Sequence, residues 1–371
     1  MSILWYNINN EEKDDEKEQM SEYYDGTKLL SLKDINGNTP EIYMCTSNRS
    51  AGKTTYFNRL SVNKYLQNNE KFCLVYRYNY EIDDAPDKFF KDIQGLFFPN
   101  KEMKGVRRAK GMYAELYLKD RFSNLEGCSC GYAIALNNAD QIKKYSHMFS
   151  DVRRMVFDEF QSETNHYCAD EVKKFISVHT SIARGQSKMY RYVPVYMISN
   201  PVTLLNPYYA EMGISERLNT ETKFLKGDGF VLEQGYNKAA EEAHMKSGFM
   251  KAFAKNEYVA YAGQGVYLND STTFIEKPEG IGRYIATLKY KKTDYAIREY
   301  GDAGIIYCDD RADKTFMSRL AVTTDDMDIN YVMLKRNQFF IDNLRFFFDK
   351  GCFRFKNLKC KEVIMKALAY Y

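Results

Sequence analysis

"CTSNRSAGKTTYFN", Cys45 to Asn58, decides how this chain is read. A phosphate-binding loop has the form G-x-x-x-x-G-K-[ST], in which successive backbone N–H groups and the following helix N-terminus cradle phosphates. Here it runs Ser47-Asn48-Arg49-Ser50-Ala51-Gly52-Lys53-Thr54, with serine where the first glycine belongs. Serine can still turn the chain out of a strand, whereas Gly52 must let the backbone approach the phosphates. A lone G-K-T is common by chance, so its neighbours decide. The apolar run "EIYMCTS" (Glu41 to Ser47) precedes it; "KTTYFNRLSVNKYLQNN" follows, with Tyr56, Leu60 and Tyr65 at helical spacing and Asn68-Asn69 as a stop. "KFCLVYRYNYEI" (Lys71 to Ile82) reads as the next strand. Strand, loop, helix, strand opens a parallel α/β domain, with Ser47 to Thr55 as the ATP cradle, Lys53 reaching the β/γ-phosphates and Thr54 holding Mg²⁺.

The matching half lies about a hundred residues on. "RRMVFDEFQS" (Arg153 to Ser162) reads as a buried strand ending in two carboxylates. Asp158 at the strand tip suits the metal's outer shell, and Glu159 suits the orientation and activation of an attacking water. A switch GTPase would lack that adjacent glutamate and would carry an N-K-x-D guanine reader, which this sequence does not contain. "YVPVYMISNP" (Tyr192 to Pro201) is a further buried strand, and its tip, Ser199-Asn200, is placed to sense the γ-phosphate beside the Asp158 strand. That order of elements belongs to the additional-strand, catalytic-glutamate (ASCE) ATPases.

Length and composition set bounds around this site. With 371 residues, 44% hydrophobic and 28% charged, the chain is long enough for two domains with substantial cores. A net charge of +3 excludes a uniformly basic nucleic-acid-binding surface and leaves only local patches. Eight scattered cysteines with no C-x-x-C pair, and no apolar run long enough for a bilayer, predict free thiols, a reducing cytosolic location and no membrane. Cys128-x-Cys130 is a weak metal signal. Asn10 to Glu18, "NEEKDDEKE", is a charge run expected to be a solvated arm. Hairpin-like strands are expected near Met112–Leu118 and Gly131–Leu136, flanked by the basic segments "NKEMKGVRRAKG" and "QIKKYSH", and a helix from about Ala169 to Arg184. After Gly227 the texture changes. A helical segment, Asn237 to Lys255, precedes an antiparallel meander, "GRYIATLKYKK", "DYAIREYGD" and "GIIYCDD", then "TFMSRLAVTT" and helices near Tyr331–Lys350 and Lys359–Ala369. The divisions predicted are an ATPase domain over 1–228 with its N-terminal arm, a helical linker over 229–270 and a smaller α+β domain over 271–371.

These residues carry a resemblance. "NRSAGKTTYFNR", "MVFDEF" and "ISNPVTLLNPYY", and more weakly "LAVTTDDMDINYVML", resemble the DNA-packaging (encapsidation) motor ATPases of small short-tailed phages, relatives of the large terminase subunit and of FtsK/HerA-type translocases. The resemblance covers most of the chain. It implies an ATP-hydrolysing motor that translocates double-stranded DNA through the portal (connector) protein into a procapsid. It further implies a homo-oligomeric ring, a pentamer by resemblance, in the host cytoplasm and transiently on the procapsid, with a structural packaging RNA among the partners the resemblance allows. A cellular FtsK/HerA-like translocase or helicase is the alternative, and a nucleotide-binding scaffold without turnover the non-enzymatic one. Phosphate loops of this family often begin without glycine and carry an arginine three residues before the G-K-T glycine. That residue is Arg49, implied to touch the γ-phosphate in cis. The family's trans-acting arginine follows the helix after the catalytic glutamate, which in "SVHTSIARGQSK" is Arg184. The second arginine often found two residues later is Gln186 here, with Arg191 the weaker alternative. Lys143 and Lys144 match the pore position that grips DNA phosphates. The cluster Lys101, Lys104, Arg107, Arg108 and Lys110 is a second candidate, and Arg77 a possible intersubunit contact.

The C-terminal meander resembles the RNase H-like nuclease domain of large terminases. Two-metal cleavage needs clustered carboxylates, one of them on the first strand. "GRYIATLKYKK" offers Lys289, Lys291 and Lys292 but no Asp or Glu, while Asp309, Asp310, Asp325, Asp326 and Asp328 lie elsewhere. The expectation is a vestigial nuclease without cleavage activity.

Overall fold

The computed structural model describes residues 24–123, 127–164, 166–184, 190–215, 217–218, 222–253 and 274–369. The Asn10–Glu18 charge run, Gln186 and the last part of the predicted linker, 254–270, lie outside them. Two compact units are present, Met1–Asn269 and Asp270–Tyr371.

In the first unit the strands are β1 (Ile42–Thr46), β2 (Lys71–Tyr76), β3 (Lys101–Arg108), β4 (Tyr113–Asp120), β5 (Cys128–Ala135), β6 (Val152–Asp158), β7 (Val195–Ser199), β8 (Phe224–Gly227) and β9 (Phe230–Gln234). They form one sheet in the order β3-β4-β5-β2-β6-β7-β1-β9-β8. The six central strands, β5 to β9, run parallel, and an antiparallel hairpin closes each edge. The central strands read as unbroken apolar runs because both faces are covered. Alternate residues of β6, Met155 and Phe157 against Val156, enter opposite cores, as do Val195 and Met197 against Tyr196 and Ile198 of β7.

Among the longer helices, α1 (Lys53–Asn68) packs on one face through Phe57, Val62 and Tyr65. Asn69, left-handed at φ 56°, stops it and returns its N–H to the carbonyls of Lys64 and Tyr65. On the same face α2 (Ala85–Phe97) carries proline in its first turn and buries Phe89, Phe90 and Ile93. The opposite face is covered by α3 (Glu171–Ile182) through Phe175, Val178 and Ile182. Each such fully buried side chain contributes about 1.5–3 kcal/mol. The result is a three-layer α/β unit with a largely parallel sheet, as the order of elements predicts. β7 lies between β6 and β1, so a single strand separates the Asp158 strand from the phosphate loop.

Two expectations change. The basic segment "NKEMKGVRRAKG", expected to flank the strands, itself forms β3, and three of its cations sit in ion pairs: Lys101 with Asp120, Arg107 with Asp83 and Arg108 with Glu115. The division expected at residue 228 falls inside the β8–β9 hairpin, and β9 pairs with β1 along its whole length, so the sheet extends to Gln234. The helix α4 (Lys238–Lys246) and a short helix, Gly248–Ala252, follow.

The second unit is built on the antiparallel meander β10 (Arg283–Tyr290), β11 (Thr293–Tyr300) and β12 (Ile305–Asp309). Parallel strands β13 (Arg319–Ala321) and β14 (Val332–Met333) extend it beyond β10, and β15 (Phe353–Phe355) extends it beyond β12. Helices α5 (Gln338–Asp349) and α6 (Leu358–Ala369) pack through Ile341, Leu344, Val363 and Ile364. The first of these begins at Gln338 rather than Tyr331, because Asn337 caps it by accepting the Phe340 N–H. No helix among the described residues is long and apolar enough to cross a membrane.

Candidate active site

Parallel strands deliver their C-terminal ends to one edge, and the loops after β1, β6 and β7 therefore meet. Ser47 to Thr54 make the turn from β1 into α1, with Ser50 (φ 59°) and Gly52 (φ 90°) left-handed. Ser47 is not left-handed, so serine costs the backbone nothing there. The close approach appears opposite it: a Cβ placed on Gly235, just after β9, would lie 3.3 Å from the Ser47 Cβ. The small residue at this approach is Gly235, in the turn after β9.

Lys53 is buried, and its ammonium donates to Asn200 Oδ1 at 2.8 Å and to the carbonyls of Ser47 and Asn48 at 3.2 and 3.4 Å. Burial pushes the ammonium below its ordinary pKa, partly opposed by the nearby Cys45 thiol and Asp158 carboxylate. A desolvated cation whose hydrogen bonds all go to neutral oxygens is a prepared anion site. Asp158 is hydrogen-bonded by the Thr54 side chain and accepts the Glu159 N–H at 2.9 Å. Desolvation and the neighbouring Glu159 push its carboxyl up to about 6, against the pull of Lys53. Thr54 and Asp158 together fit Mg²⁺, which uses one or two protein oxygens and completes its shell with phosphates and water. Among the described residues no cluster of three His, Cys, Asp or Glu side chains exists that would hold a metal alone.

The raised Asp158 value has a testable sign. The folded protein prefers this carboxyl protonated, so its ionised form subtracts stability above pH about 6 and the cost fades as pH falls towards the unfolded value. Asp158→Asn is therefore expected to raise the melting temperature of the nucleotide-free protein at pH 8 by about 2–4 °C, a gain of about 1 kcal/mol after Lys53 loses part of its compensation. At pH 4 the gain should vanish; a lower melting temperature at pH 8 would contradict it.

Glu159 is exposed and left-handed at φ 54°, a conformation that costs a non-glycine residue about 1 kcal/mol or more. Arg77 holds it there. Its guanidinium donates to the carbonyls of Glu159 (3.3 Å) and Phe160 (2.9 Å) and to the buried Glu171 carboxylate at 2.8 and 3.0 Å, which also accepts the Tyr208 hydroxyl. Arg77 thus points inward, in place of the intersubunit contact expected from its strand-end position. Arg191 is likewise buried and donates to the carbonyls of Val152 and Ile182, which removes it as an alternative trans arginine.

A cavity of ≈ 230 Å³ opens between Arg49, Arg77, Glu159, Glu163, Ser199 and Asn200. Arg49 is ion-paired to Glu163, and Asn200 donates to the same carboxylate at 3.4 Å while accepting from Lys53. Gln161 accepts the N–H groups of Val202 and Thr203 at 3.1 and 3.0 Å, tying the loops after β6 and β7 together. Thr54 and Thr55 line a larger cavity running along α1. Arg184 is exposed just past α3 and lines neither cavity. Lys143 and Lys144 follow β5 in a 3₁₀ stretch, Lys143–Phe149, outside the cavities lined by the phosphate loop. Lys143 is paired with Asp140 at 3.0 Å, and Lys144 is exposed. Sequence reading brought Lys53, Thr54, Asp158, Glu159, Arg49 and Asn200 to one place and missed Arg77's inward role, Gln161, Glu163 and Glu171. These reach the site from 80 or more residues away or through loop geometry, and no spacing signals them.

In the acidic set of the second unit, Asp309 pairs with Arg298 at 2.8 Å, Asp310 with Lys356 and Asp328 with Lys289 of β10 at 2.7 Å. Asp326 is buried and accepts the Lys291 and Lys292 N–H groups at 3.2 and 2.9 Å, fixing the β10–β11 turn.

Residues 18–369 match the family model described as Podovirus DNA encapsidation protein (Gp16). The DNA packaging protein of Bacillus phage phi29 is 23% identical over 339 residues, covering 90% of this chain and 93% of its own. That of Bacillus phage B103 is 24% identical over 313 residues, covering 83% and 90%. The fold is shared with a chain of the bacteriophage Phi-29 viral genome packaging motor assembly at TM-score 0.65 and 21% identity, over 94% of this chain and 97% of that one. It is shared with the Phi-28 gp11 DNA packaging motor at TM-score 0.57 and 18% identity, over the same fractions.

Proposed function

Since the chain belongs to the Podovirus DNA encapsidation protein (Gp16) family over residues 18–369, we propose that its nucleotide site drives double-stranded phage DNA through a portal into a procapsid in the host cell. It is a phage DNA-packaging ATPase. The observation that carries the mechanism is the Lys53–Asn200 hydrogen bond, with Thr54 on Asp158 beside it, gathered at the tips of three adjacent parallel strands.

ATP lays its β- and γ-phosphates along Ser47–Thr54, and phosphate oxygens replace Asn200 and the two carbonyls as partners of Lys53. Mg²⁺ would be held by Thr54 and Asp158 and would supply neutralisation of the phosphate charge there. Glu159 orients the attacking water and takes its proton as the bond between the γ-phosphorus and the bridging oxygen breaks. Asn200 senses the γ-phosphate, and Arg49, released from Glu163, turns to it. Arg184 of a neighbouring subunit supplies the remaining positive charge, so the working form is a homo-oligomeric ring, a pentamer by family resemblance. Lys143 and Lys144 face the DNA phosphates. The portal protein, and a structural packaging RNA where one is used, anchor the ring.

The first unit then acts as the ATPase domain through β9, the segment from Asn237 to residue 270 as a connector, and residues 271–371 as an RNase H-like remnant. The meander with parallel strands beyond it supports that last reading, as does the pairing of Asp309, Asp310 and Asp328 with cations. No cleavage of plasmid DNA is expected with Mg²⁺ or Mn²⁺; nicking that survives Asp158→Ala but not Asp310→Ala would overturn it.

Turnover with and without double-stranded DNA tests the whole. Stimulation by DNA, abolished in Lys53→Ala, is the expected result, and turnover indifferent to DNA and to portal would refute a translocating motor.

A further inference from the structure

The γ-phosphate end of the site lies between β6, β7 and β1, where Arg49, Glu159 and Asn200 line the smaller cavity. On the opposite flank of β1 the neighbour is β9, parallel to it and paired from Ile42 with Phe230 to Thr46 with Gln234. The turn after β9, Gly235 to Asn237, is fastened to the phosphate loop from several directions. Gly235 donates its N–H to the Thr46 carbonyl at 2.7 Å. The buried Asn48 side chain makes a reciprocal pair with the Asn237 backbone, donating to its carbonyl and accepting its N–H, both at 2.9 Å. The cavity enclosed by this turn, Ser47 and Ala51 measures ≈ 440 Å³, within the range of small-molecule sites. Tyr24 lines it, fixed edge-on against Tyr56 at 5.7 Å and hydrogen-bonded to the buried Glu233 at 2.7 Å. Tyr236, 54% exposed, lines it as well, an aromatic ring on a turn that is hydrogen-bonded to the phosphate loop.

We propose that this cavity, lined also by Tyr24, is the nucleobase subsite, in which the Tyr236 ring stacks on the base. The proposal rests on the ATPase reading above and adds to it which residues recognise the nucleoside. It also gives Asn48 a role: a phosphate-loop side chain that makes no use of the phosphates and sets the position of the base-binding turn.

The test compares two ligands that share the phosphates and differ in the base: ATP, and inorganic tripolyphosphate with Mg²⁺. In the full chain, Tyr236→Ala is expected to weaken ATP binding about 10-fold, the scale of one base–aromatic stack, and to leave tripolyphosphate binding unchanged. Tyr236→Phe should retain ATP affinity. Asn48→Ala should also cost more for ATP than for tripolyphosphate. An equal loss for both ligands, or none for either, overturns the assignment. So does an ATP-selective loss that appears in Arg59→Ala, which lines the larger cavity between α1 and α2, and not in Tyr236→Ala. If wild-type protein binds neither ligand, the nucleotide site itself is refuted, and the two failures stay distinct.

Discussion

Glu159→Gln is expected to lower ATP turnover at least about 100-fold while ATP still binds. The amide keeps the size of the side chain and, since Glu159 is exposed, costs no desolvation. The left-handed backbone that aims residue 159 is held through its carbonyl by Arg77, and the substitution leaves those contacts in place. What is lost is the ability to accept a proton from water. Phosphate contacts at Lys53 and the loop are untouched, so binding of a fluorescent ATP analogue should stay within about 3-fold, as expected when only an interaction of the transition state is removed. Retention of a tenth of the wild-type rate would assign the base elsewhere. The neighbouring carboxylates are poor substitutes: Glu163 is engaged by Arg49 and Asn200, and Asp158 by Thr54 and the Glu159 N–H.

What was legible in the sequence followed from local rules. The phosphate loop shows in eight consecutive residues, and the β6 and β7 tips show because buried parallel strands are apolar runs that end abruptly in polar residues. β3 was hidden because an edge strand tolerates charges on both faces, so "KEMKGVRR" carries no apolar alternation to read. The β8–β9 hairpin was hidden by its brevity, with β8 only four residues long. The supports of the site were not legible for a different reason. Arg77 meets Glu171 across 94 residues and Asn48 meets Asn237 across 189, and each is an ordinary polar residue until the fold brings its partner. Sequence position marked Arg77 as an arginine at a strand end and Arg191 as the weaker alternative to Arg184; burial decides that both are internal struts. Of the arginines considered for the site, that leaves Arg184 as the one exposed beyond a helix end, with no ion pair among the described residues.

Arg184→Ala is accordingly expected to reduce turnover by about 1,000-fold in the assembled motor, the scale at which a trans-acting arginine stabilises charge on the transferring phosphoryl group. Among the described residues the cations at the phosphate loop and the smaller cavity are Lys53, Arg49 and Arg77, and the two arginines already answer to Glu163 and Glu171. Arg184 lines neither the γ-phosphate cavity nor the one along α1, so its effect requires a neighbour's site. That requirement separates it from a cis residue by a measurement that affinity cannot mimic. When mutant and wild-type subunits are mixed at fixed total concentration with DNA and portal present, an arginine shared between subunits of the proposed ring would make activity fall more steeply than the mutant fraction, because each mutant would disable the adjacent wild-type site. A cis role gives a straight line, and so does a set of independent subunits. Binding of ATP by the isolated mutant should match wild type, since no phosphate contact within its own subunit has changed. A straight line together with normal assembly would transfer the missing positive charge to Arg49, and would make its release from Glu163 the step that limits hydrolysis.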